Sequence, residues 1–329
     1  MTKPKVFIGI KIPKEIEEYI GKYCDYTIWD RDEPLTYDIA VEKIKDVEGA
    51  LLPMIKIDEN LLDHGPNLKV ISNFTVGYNN FDTDIMKERG IIGTNAAGSS
   101  NNTVADLIFG LILGAARRIP ELDRVVKERK WEKGHDNNFY GKDVSETSIG
   151  IIGMGGIGEE VARRAKLGFD MNVYYYNRNR KKEVEKNLGV KYLDFDSLLK
   201  KSNFVVSMTP LTDKTYHLMG KREFSLMKKD SIFINASRGA VVDEEALIWA
   251  LENKEIWAAG LDVFEYEPID KDSPLLKIKN VITVPHIGAS THRTLDRMKK
   301  VGAKNLIQAL KGETPDNLVP ELRCINNDK

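Results

Sequence analysis

The run Ile149-Gly150-Ile151-Ile152-Gly153-Met154-Gly155-Gly156-Ile157-Gly158 limits the fold of this chain more than any other stretch: an apolar segment breaks into glycines and continues in a helical pattern through Val161, Ala162 and Ala165. It reads as strand, tight turn and helix, with Gly153, Gly155 and Gly158 at G-x-G-x-x-G spacing. In that pattern the first glycine makes the turn, the second lets backbone approach a pyrophosphate, and the third lets the helix pack on the strand. Free N–H groups in the first helical turn then face the phosphates. A second strand-like run, Met171 to Tyr176, follows at the βαβ distance. The expected element is a dinucleotide-binding fold with Gly153, Gly155, Gly156, Ile157 and Gly158 at the cofactor.

The end of that second strand predicts which dinucleotide. An NAD site normally has Asp or Glu about 20 residues beyond the glycines, accepting hydrogen bonds from the ribose hydroxyls. Here Asn177 stands in that place, followed by Arg178, Asn179, Arg180, Lys181 and Lys182. The carboxylate that would repel a 2′-phosphate is missing, and a guanidinium fork matches phosphate geometry. NADP(H) is therefore favoured, with NAD(H) as the other candidate, and Asn177, Arg178 and Arg180 are the expected contacts. Lys181 and Lys182 read as the solvated start of the next helix.

Composition sets the wider frame. The 329 residues suggest two domains, and 42% apolar content is enough for sizeable cores. A net charge of −1 gives no overall pull toward nucleic acid or an anionic membrane. Cys24 and Cys324 form no motif, so unpaired thiols in a reducing compartment are expected. Met1-Thr2-Lys3-Pro4 runs straight into a strand-like Val6-Phe7-Ile8, and the longest apolar helix, near Thr103 to Ala116, contains Asp106 and is too short to span a bilayer. These features make a cytoplasmic protein the expectation. No segment has metal-site spacing.

Alternation of strands and helices organises the rest. Before the glycine motif come Val6–Ile10 with Pro13–Lys22, Tyr26–Trp29 with Tyr37–Lys45, Ala50–Pro53 with Asp58–His64, and Lys69–Phe74 with Asp82–Arg89. A helix from about Asn102 carries Val104, Leu107, Ile108, Leu111, Ile112 and Ala115 at helical spacing and suits a buried connector. Strands then resume at Met171–Tyr176, Phe204–Met208, Ser231–Asn235, Ala258–Val263 and Val281–Val284, and a last helix, roughly Thr291 to Leu310, is one element too many for the second sheet. The pattern predicts an α/β protein of two doubly wound parallel-sheet domains, a Rossmann nucleotide-binding domain (101–288) inserted into a flavodoxin-like substrate domain (1–100 and 289–329). The chain would cross between them near residues 100 and 290, forming a cleft.

Three segments carry chemistry. An apolar strand runs into Asn235-Ala236-Ser237-Arg238-Gly239-Ala240-Val241-Val242-Asp243; the others are Gly260-Leu261-Asp262-Val263-Phe264-Glu265-Tyr266-Glu267-Pro268 and Val284-Pro285-His286-Ile287-Gly288-Ala289-Ser290-Thr291. Each sets an ionisable residue just past a strand, where ligands of open α/β sheets bind. Arg238, Glu267 and His286 can thus converge on one crevice. His64, His135, His217 and His292 lack such context and read as surface or packing residues, and Tyr174-Tyr175-Tyr176 reads as strand packing.

Together with Val76-Gly77-Tyr78-Asn79-Asn80-Phe81-Asp82, Thr103-Val104-Ala105-Asp106-Leu107 and Ala115-Ala116-Arg117-Arg118, these segments closely resemble the D-isomer-specific 2-hydroxyacid dehydrogenases, in particular the glyoxylate/hydroxypyruvate reductase branch. The resemblance runs from about Leu51 to Asn317. Asn79 departs from the usual Asp, and Glu146 from the usual Lys. The resemblance implies reduction of a small 2-keto acid, glyoxylate or hydroxypyruvate favoured, by hydride transfer from the nicotinamide. It also implies His286 as proton donor, Glu267 on the other ring nitrogen favouring the imidazolium, and Arg238 holding the substrate carboxylate and polarising its carbonyl. Backbone N–H groups of Val76 and Gly77 would take the other carboxylate oxygen, and Asp262 would lie near the nicotinamide carboxamide. Glu265 competes with Glu267, but only Glu267 directly precedes Pro268 as the family pattern requires. Family homodimers imply an arm at 117–140, anchored by residues such as Val125, Val126 and Trp131, on a second subunit. Other substrates of the family (2-ketogluconate, D-lactate, 3-phosphoglycerate) and a dinucleotide-sensing co-repressor-like scaffold are the competing readings.

Overall fold

The computed structural model describes residues 2–132, 134 and 139–326. The chain divides into two compact units, Met1–Ser100 with Ser290–Lys329, and Asn101–Ala289.

The first unit holds strands β1 (Lys5–Ile8), β2 (Asp25–Ile28), β3 (Gly49–Leu52), β4 (Val70–Asn73) and β5 (Ile92–Thr94), and helices α1 (Lys14–Tyr23), α2 (Tyr37–Lys43), α3 (Glu59–His64) and α4 (Thr83–Glu88). All strand pairs are parallel, in the order β2-β1-β3-β4-β5. That is the flavodoxin-like order of a doubly wound sheet. Central strands β3 and β4 are buried at every residue, as a sheet covered on both faces requires. Helix starts follow from capping chemistry: the Asp58 and Asp82 carboxylates accept the N–H groups of Leu61 and Ile85, satisfying donors that the first turn leaves unpaired. Strand β5 was not anticipated, because three residues, Ile-Gly-Thr, are too few to show a period.

The second unit opens with α5 (Asn101–Ala116) and α6 (Ile119–Lys127). Its sheet comprises β6 (Ser148–Ile152), β7 (Asn172–Tyr176), β8 (Lys191–Tyr192), β9 (Phe204–Ser207), β10 (Ile232–Asn235), β11 (Ala258–Leu261) and β12 (Val281–Thr283). Helices α7 (Gly156–Phe169), α8 (Lys182–Leu188), α9 (Phe195–Lys201), α10 (Lys221–Leu226) and α11 (Glu244–Glu252) connect them. Read from β8, the parallel order is β8-β7-β6-β9-β10-β11-β12, the dinucleotide-binding order with one strand added. The order reverses between β6 and β9, so the glycine turn after β6 lies at the switch point, where such sheets bind ligands. One face is covered by α5 and α7, whose Ile108, Ile112, Val161 and Ala165 pack with Ile149, Ile151 and Val206; the other is filled by Leu198, Phe224, Leu247 and Leu251 around Val205 and Phe233. The two-residue β8 was also too short to be legible.

The last helix, α12 (His292–Leu310), capped by Thr291, belongs to the first unit, where Ala303, Leu306 and Ile307 join Ile16 and Ile20 of α1 over β1, β3 and β4. The opposite face is closed by Ala40 of α2 and Ile44 just past its end, Leu61 and Leu62 of α3, and Met86 of α4.

Candidate active site

Turn geometry after β6 demands its glycines. Gly153 has φ +104, and a Cβ there would stand 2.6 Å from the Met208 carbonyl oxygen; a Cβ on Gly158 would stand 2.3 Å from the Gly153 oxygen. By contrast, a Cβ at Gly155 would meet nothing within 4 Å, so that side of the turn is open. Gly155 precedes α7 in extended conformation and no side chain caps the helix, which leaves the N–H groups of its first turn facing that opening. The Thr209 hydroxyl, just past β9, is buried without a hydrogen-bond partner. Open space, uncapped amides and an orphaned hydroxyl fit a dinucleotide pyrophosphate. Sequence reasoning missed Thr209; the available signal was a polar residue following a strand at the point where the sheet order reverses.

The basic run after β7 divides by partner. Asn177 Oδ1 accepts from Met154 N (3.3 Å) and its amide donates to the Asn179 carbonyl (2.8 Å), so the side chain braces the glycine turn. Arg180 is not available as expected: its Nε and Nη2 both lie 2.7 Å from Glu185, and its guanidinium sits 5.8 Å from the Tyr192 ring centroid. Tyr175 adds its hydroxyl to Glu185 at 2.7 Å. The Arg180 guanidinium and then the Tyr175 hydroxyl hold the Glu185 carboxyl down to about 2. Arg178 is exposed and makes no hydrogen bond or ion pair with the described residues. Lys181 and Lys182 are exposed at the start of α8, and Tyr175 is fully buried against Tyr192, as strand packing requires.

Arg238, Glu267 and His286 all belong to the second unit. Arg238 follows β10 on a loop built by Asn235, which donates to the Arg238 carbonyl (3.0 Å) and accepts from Ser237 N and Oγ. Its guanidinium donates to the Ser237 carbonyl at 2.7 Å. Burial weakens its hold on the proton relative to a free guanidinium, and the nearby Glu267 charge opposes that. Glu267 splits its carboxylate: Oε1 accepts from Phe264 N (3.1 Å) and Oε2 lies 2.7 Å from His286 Nδ1. The ring's Nε2 has no partner among the described residues.

His286 itself has φ +52, the left-handed region that side-chain-bearing residues rarely adopt. Just beyond it, Asp262 Oδ1 accepts from Ile287 N (2.7 Å) and Oδ2 from Gly288 N (2.9 Å). Asp262 is almost fully buried, and this desolvation pushes its carboxyl above the usual range despite the two amides. Its visible task is thus to anchor the segment that presents the histidine, which residue order alone did not reveal.

The loops carrying Arg238 and Glu267 touch through backbone: a Cβ on Gly239 would lie 1.7 Å from the Phe264 carbonyl oxygen. Gly239→Ala should therefore destabilise the protein by about 1–3 kcal/mol or more, read as a lowered thermal midpoint; an unchanged midpoint would mean that the loops separate freely.

His217 was expected to lack context. Its Nε2 lies 2.9 Å from Glu265 Oε1, its ring stacks on Tyr216, and Glu265 N donates to Glu244. The two glutamates around Tyr266 thus take different histidines, Glu265 with His217 and Glu267 with His286. His64 Nδ1 donates to the Asn60 carbonyl and His292 is exposed, while His135 lies outside the described residues. In the first unit, Val76 and Gly77 occupy the loop that leaves β4, half-buried. Both cysteines are unpaired, Cys24 buried and Cys324 exposed; no group able to hold a metal ion and no helix long and apolar enough to cross a membrane occurs among the described residues.

Comparison with known proteins agrees with this geometry. A family model described as D-isomer specific 2-hydroxyacid dehydrogenase, NAD binding domain, matches residues 109–288. The chain is 44% identical over 323 residues to glyoxylate reductase of Thermococcus litoralis, covering 96% of this chain and 97% of the relative. It superimposes on a glyoxylate reductase from Paecilomyes thermophila with TM-score 0.88 at 31% identity, covering 98% and 100% of the two chains. An NADPH-dependent glyoxylate/hydroxypyruvate reductase from Sinorhizobium meliloti, solved with NADP and malonate, gives TM-score 0.83 at 27% identity over 98% of each chain.

Proposed function

The chain belongs to the D-isomer-specific 2-hydroxyacid dehydrogenases, an NAD(P)-dependent family, and from that premise we propose that it reduces glyoxylate or hydroxypyruvate to the 2-hydroxy acid with NADPH, His286 donating the proton. The observation that carries this reading is the 2.7 Å contact between Glu267 and His286 Nδ1, which commits one ring nitrogen and frees the other. The bound dinucleotide supplies the hydride. His286 Nε2–H then protonates the carbonyl oxygen as charge develops there, with Glu267 fixing the ring and balancing the imidazolium. Arg238 binds the substrate carboxylate and draws electron density from the carbonyl, more strongly because its fork is partly desolvated. The amides of Val76 and Gly77 take the other carboxylate oxygen. Gly153, Gly155, Gly156, Ile157 and Gly158 receive the pyrophosphate, Asn177 and Arg178 the adenosine ribose and its 2′-phosphate, and Asp262 the carboxamide end. The test is loss of NADPH absorbance with glyoxylate, hydroxypyruvate, pyruvate and 2-ketogluconate. Fastest turnover of either of the first two supports the assignment, and a preference for one of the others overturns it.

We also assign the face around α6 to a second copy of this chain. No residue of α6 is buried, and Ile119, Val126, Trp131 and Tyr140 are more than half exposed. Ile119 and Val126, seven residues apart, share one face of α6, on the segment that the family resemblance gives to a second subunit. Light scattering at micromolar concentration should give twice the chain mass; a monomer mass would remove the assignment.

A further inference from the structure

Three loops of the second unit are tied by bonds that the proposed chemistry does not use. The chain leaving β9 reaches His217, whose backbone N–H donates to the Ala240 carbonyl (2.9 Å), and Met219 N donates to the Val241 carbonyl (3.1 Å), so this loop lies against the one that carries Arg238. The His217 side chain crosses to the third loop, its Nε2 standing 2.9 Å from Glu265 Oε1. An ionised carboxylate only accepts, so the ring N–H is the donor. The backbone of Glu265 is held as well, its N–H donating to Glu244 Oε2 (3.3 Å) at the start of α11. His217 has φ +49, a left-handed backbone that a residue with a Cβ keeps only where its surroundings hold it there. The two side chains are 31% and 17% exposed, too shielded for an ordinary solvated surface contact, and shielding strengthens the bond.

We propose that His217 and Glu265 are positioning residues of the keto-acid reduction: their bond fixes the loop that Glu265 shares with Glu267, and through it the placing of both Glu267 on His286 and Arg238. The proposal rests on the reductase reading and deepens it. Glu265 and Glu267 are two residues apart with the exposed Tyr266 between them, so one cannot move far without the other. Glu267 itself takes Phe264 N of its own loop (3.1 Å) and His286 (2.7 Å). Among the described residues, the hydrogen bonds from this loop to α11 and to the loop after β9 are made at Glu265. The loop also packs backbone to backbone on the Arg238 loop, Phe264 against Gly239, so its displacement reaches the guanidinium as well as the partner of the histidine. A misplacement of about 1 Å in such groups costs about a hundredfold in rate. The turn that follows Thr209 is closed on itself, Thr215 Oγ1 donating to the Pro210 carbonyl (2.6 Å) and accepting from Thr212 N (2.8 Å), so the dinucleotide side does not depend on the pair.

Glu265→Ala should lower kcat with glyoxylate by about tenfold or more and raise KM for glyoxylate by a similar factor, while KM for the dinucleotide stays within about twofold. Glu265→Gln, whose amide oxygen still accepts the ring N–H, should return both values to within about threefold of wild type. His217→Asn tolerates the left-handed backbone but is too short to reach Glu265, and it should repeat the loss. The variant combining His217→Asn with Glu265→Ala should lose no more than the worse single one, because both remove the same bond. Unchanged kinetics in Glu265→Ala, with or without a lowered thermal midpoint, overturns the proposal and leaves the proposed function standing; so does a Glu265→Gln variant as poor as Glu265→Ala, or additive losses. Absence of 2-keto acid turnover in the wild type overturns the function instead. Calorimetric titration of oxalate into the NADPH-loaded protein then decides the pair by itself through Arg238: weaker binding in Glu265→Ala that Glu265→Gln restores supports it, and any other pattern refutes it.

Discussion

His286→Ala should lower kcat with glyoxylate and NADPH by at least about a hundredfold, the usual scale for losing a positioned general acid. The physical reason is specific to this site. Glu267 holds Nδ1 at 2.7 Å, Phe264 N holds the other oxygen of Glu267, and Asp262 anchors the two residues after the histidine, so the ring is fixed from three directions before any ligand arrives. Alanine removes the proposed proton source while leaving all the anchoring groups in place, and a melting curve should show an intact fold. Arg238→Ala should behave differently, raising KM as well as lowering kcat, since the guanidinium is assigned to the substrate in both ground and transition states. Near-normal turnover in His286→Ala would transfer the proton donor's role to another group.

The second large effect concerns the dinucleotide. The wild-type enzyme should show a higher kcat/KM with NADPH than with NADH, and Asn177→Asp combined with Arg178→Ala should reverse the order. A charge-assisted bond from Arg178 to the 2′-phosphate would contribute on the order of 1.5–3 kcal/mol, a preference of roughly ten- to hundredfold. Asp at 177 would add repulsion and two ribose hydroxyl bonds to the opposite side of the balance. Arg180 cannot substitute for Arg178 without breaking both bonds to Glu185, and that carboxyl, held near 2, remains ionised throughout any practical assay. A wild-type preference for NADH of tenfold or more would show that Arg178 stays in solvent.

What the sequence disclosed and what it withheld follow from the range of the interactions. The β6–α7 turn was legible because its requirements are local: a glycine at φ +104 and a second that lets the helix lie on the turn sit five residues apart. Arg238, Glu267 and His286 were legible as a set through the order of their segments and their positions just past strands, although only the fold brings Glu267 onto His286. Contacts without local period or motif stayed hidden. Arg180 looked like a phosphate ligand until α8 brought Glu185 to it, and His217 looked idle until Glu265, forty-eight positions along, closed on its ring. Asp262 was assigned to the cofactor side from its segment, but its two bonds to the 287 and 288 amides depend on how β11 and β12 align. The short β5 and β8 escaped because edge strands of two or three residues leave no alternation to read.

The left-handed backbone at His286 divides the interests of the fold from those of its chemistry. A residue with a Cβ pays of order 1 kcal/mol to occupy that region, and a glycine pays almost none. Selection for durability alone would thus favour glycine at 286, and the proton transfer proposed for His286 forbids it. Asp262 bears a related burden, its carboxyl pushed upward by burial while it holds the two amides that follow the proposed proton donor. Stabilising screens on this protein will accordingly be drawn to 286 and 262, and gains in heat resistance found there should come with dead enzyme.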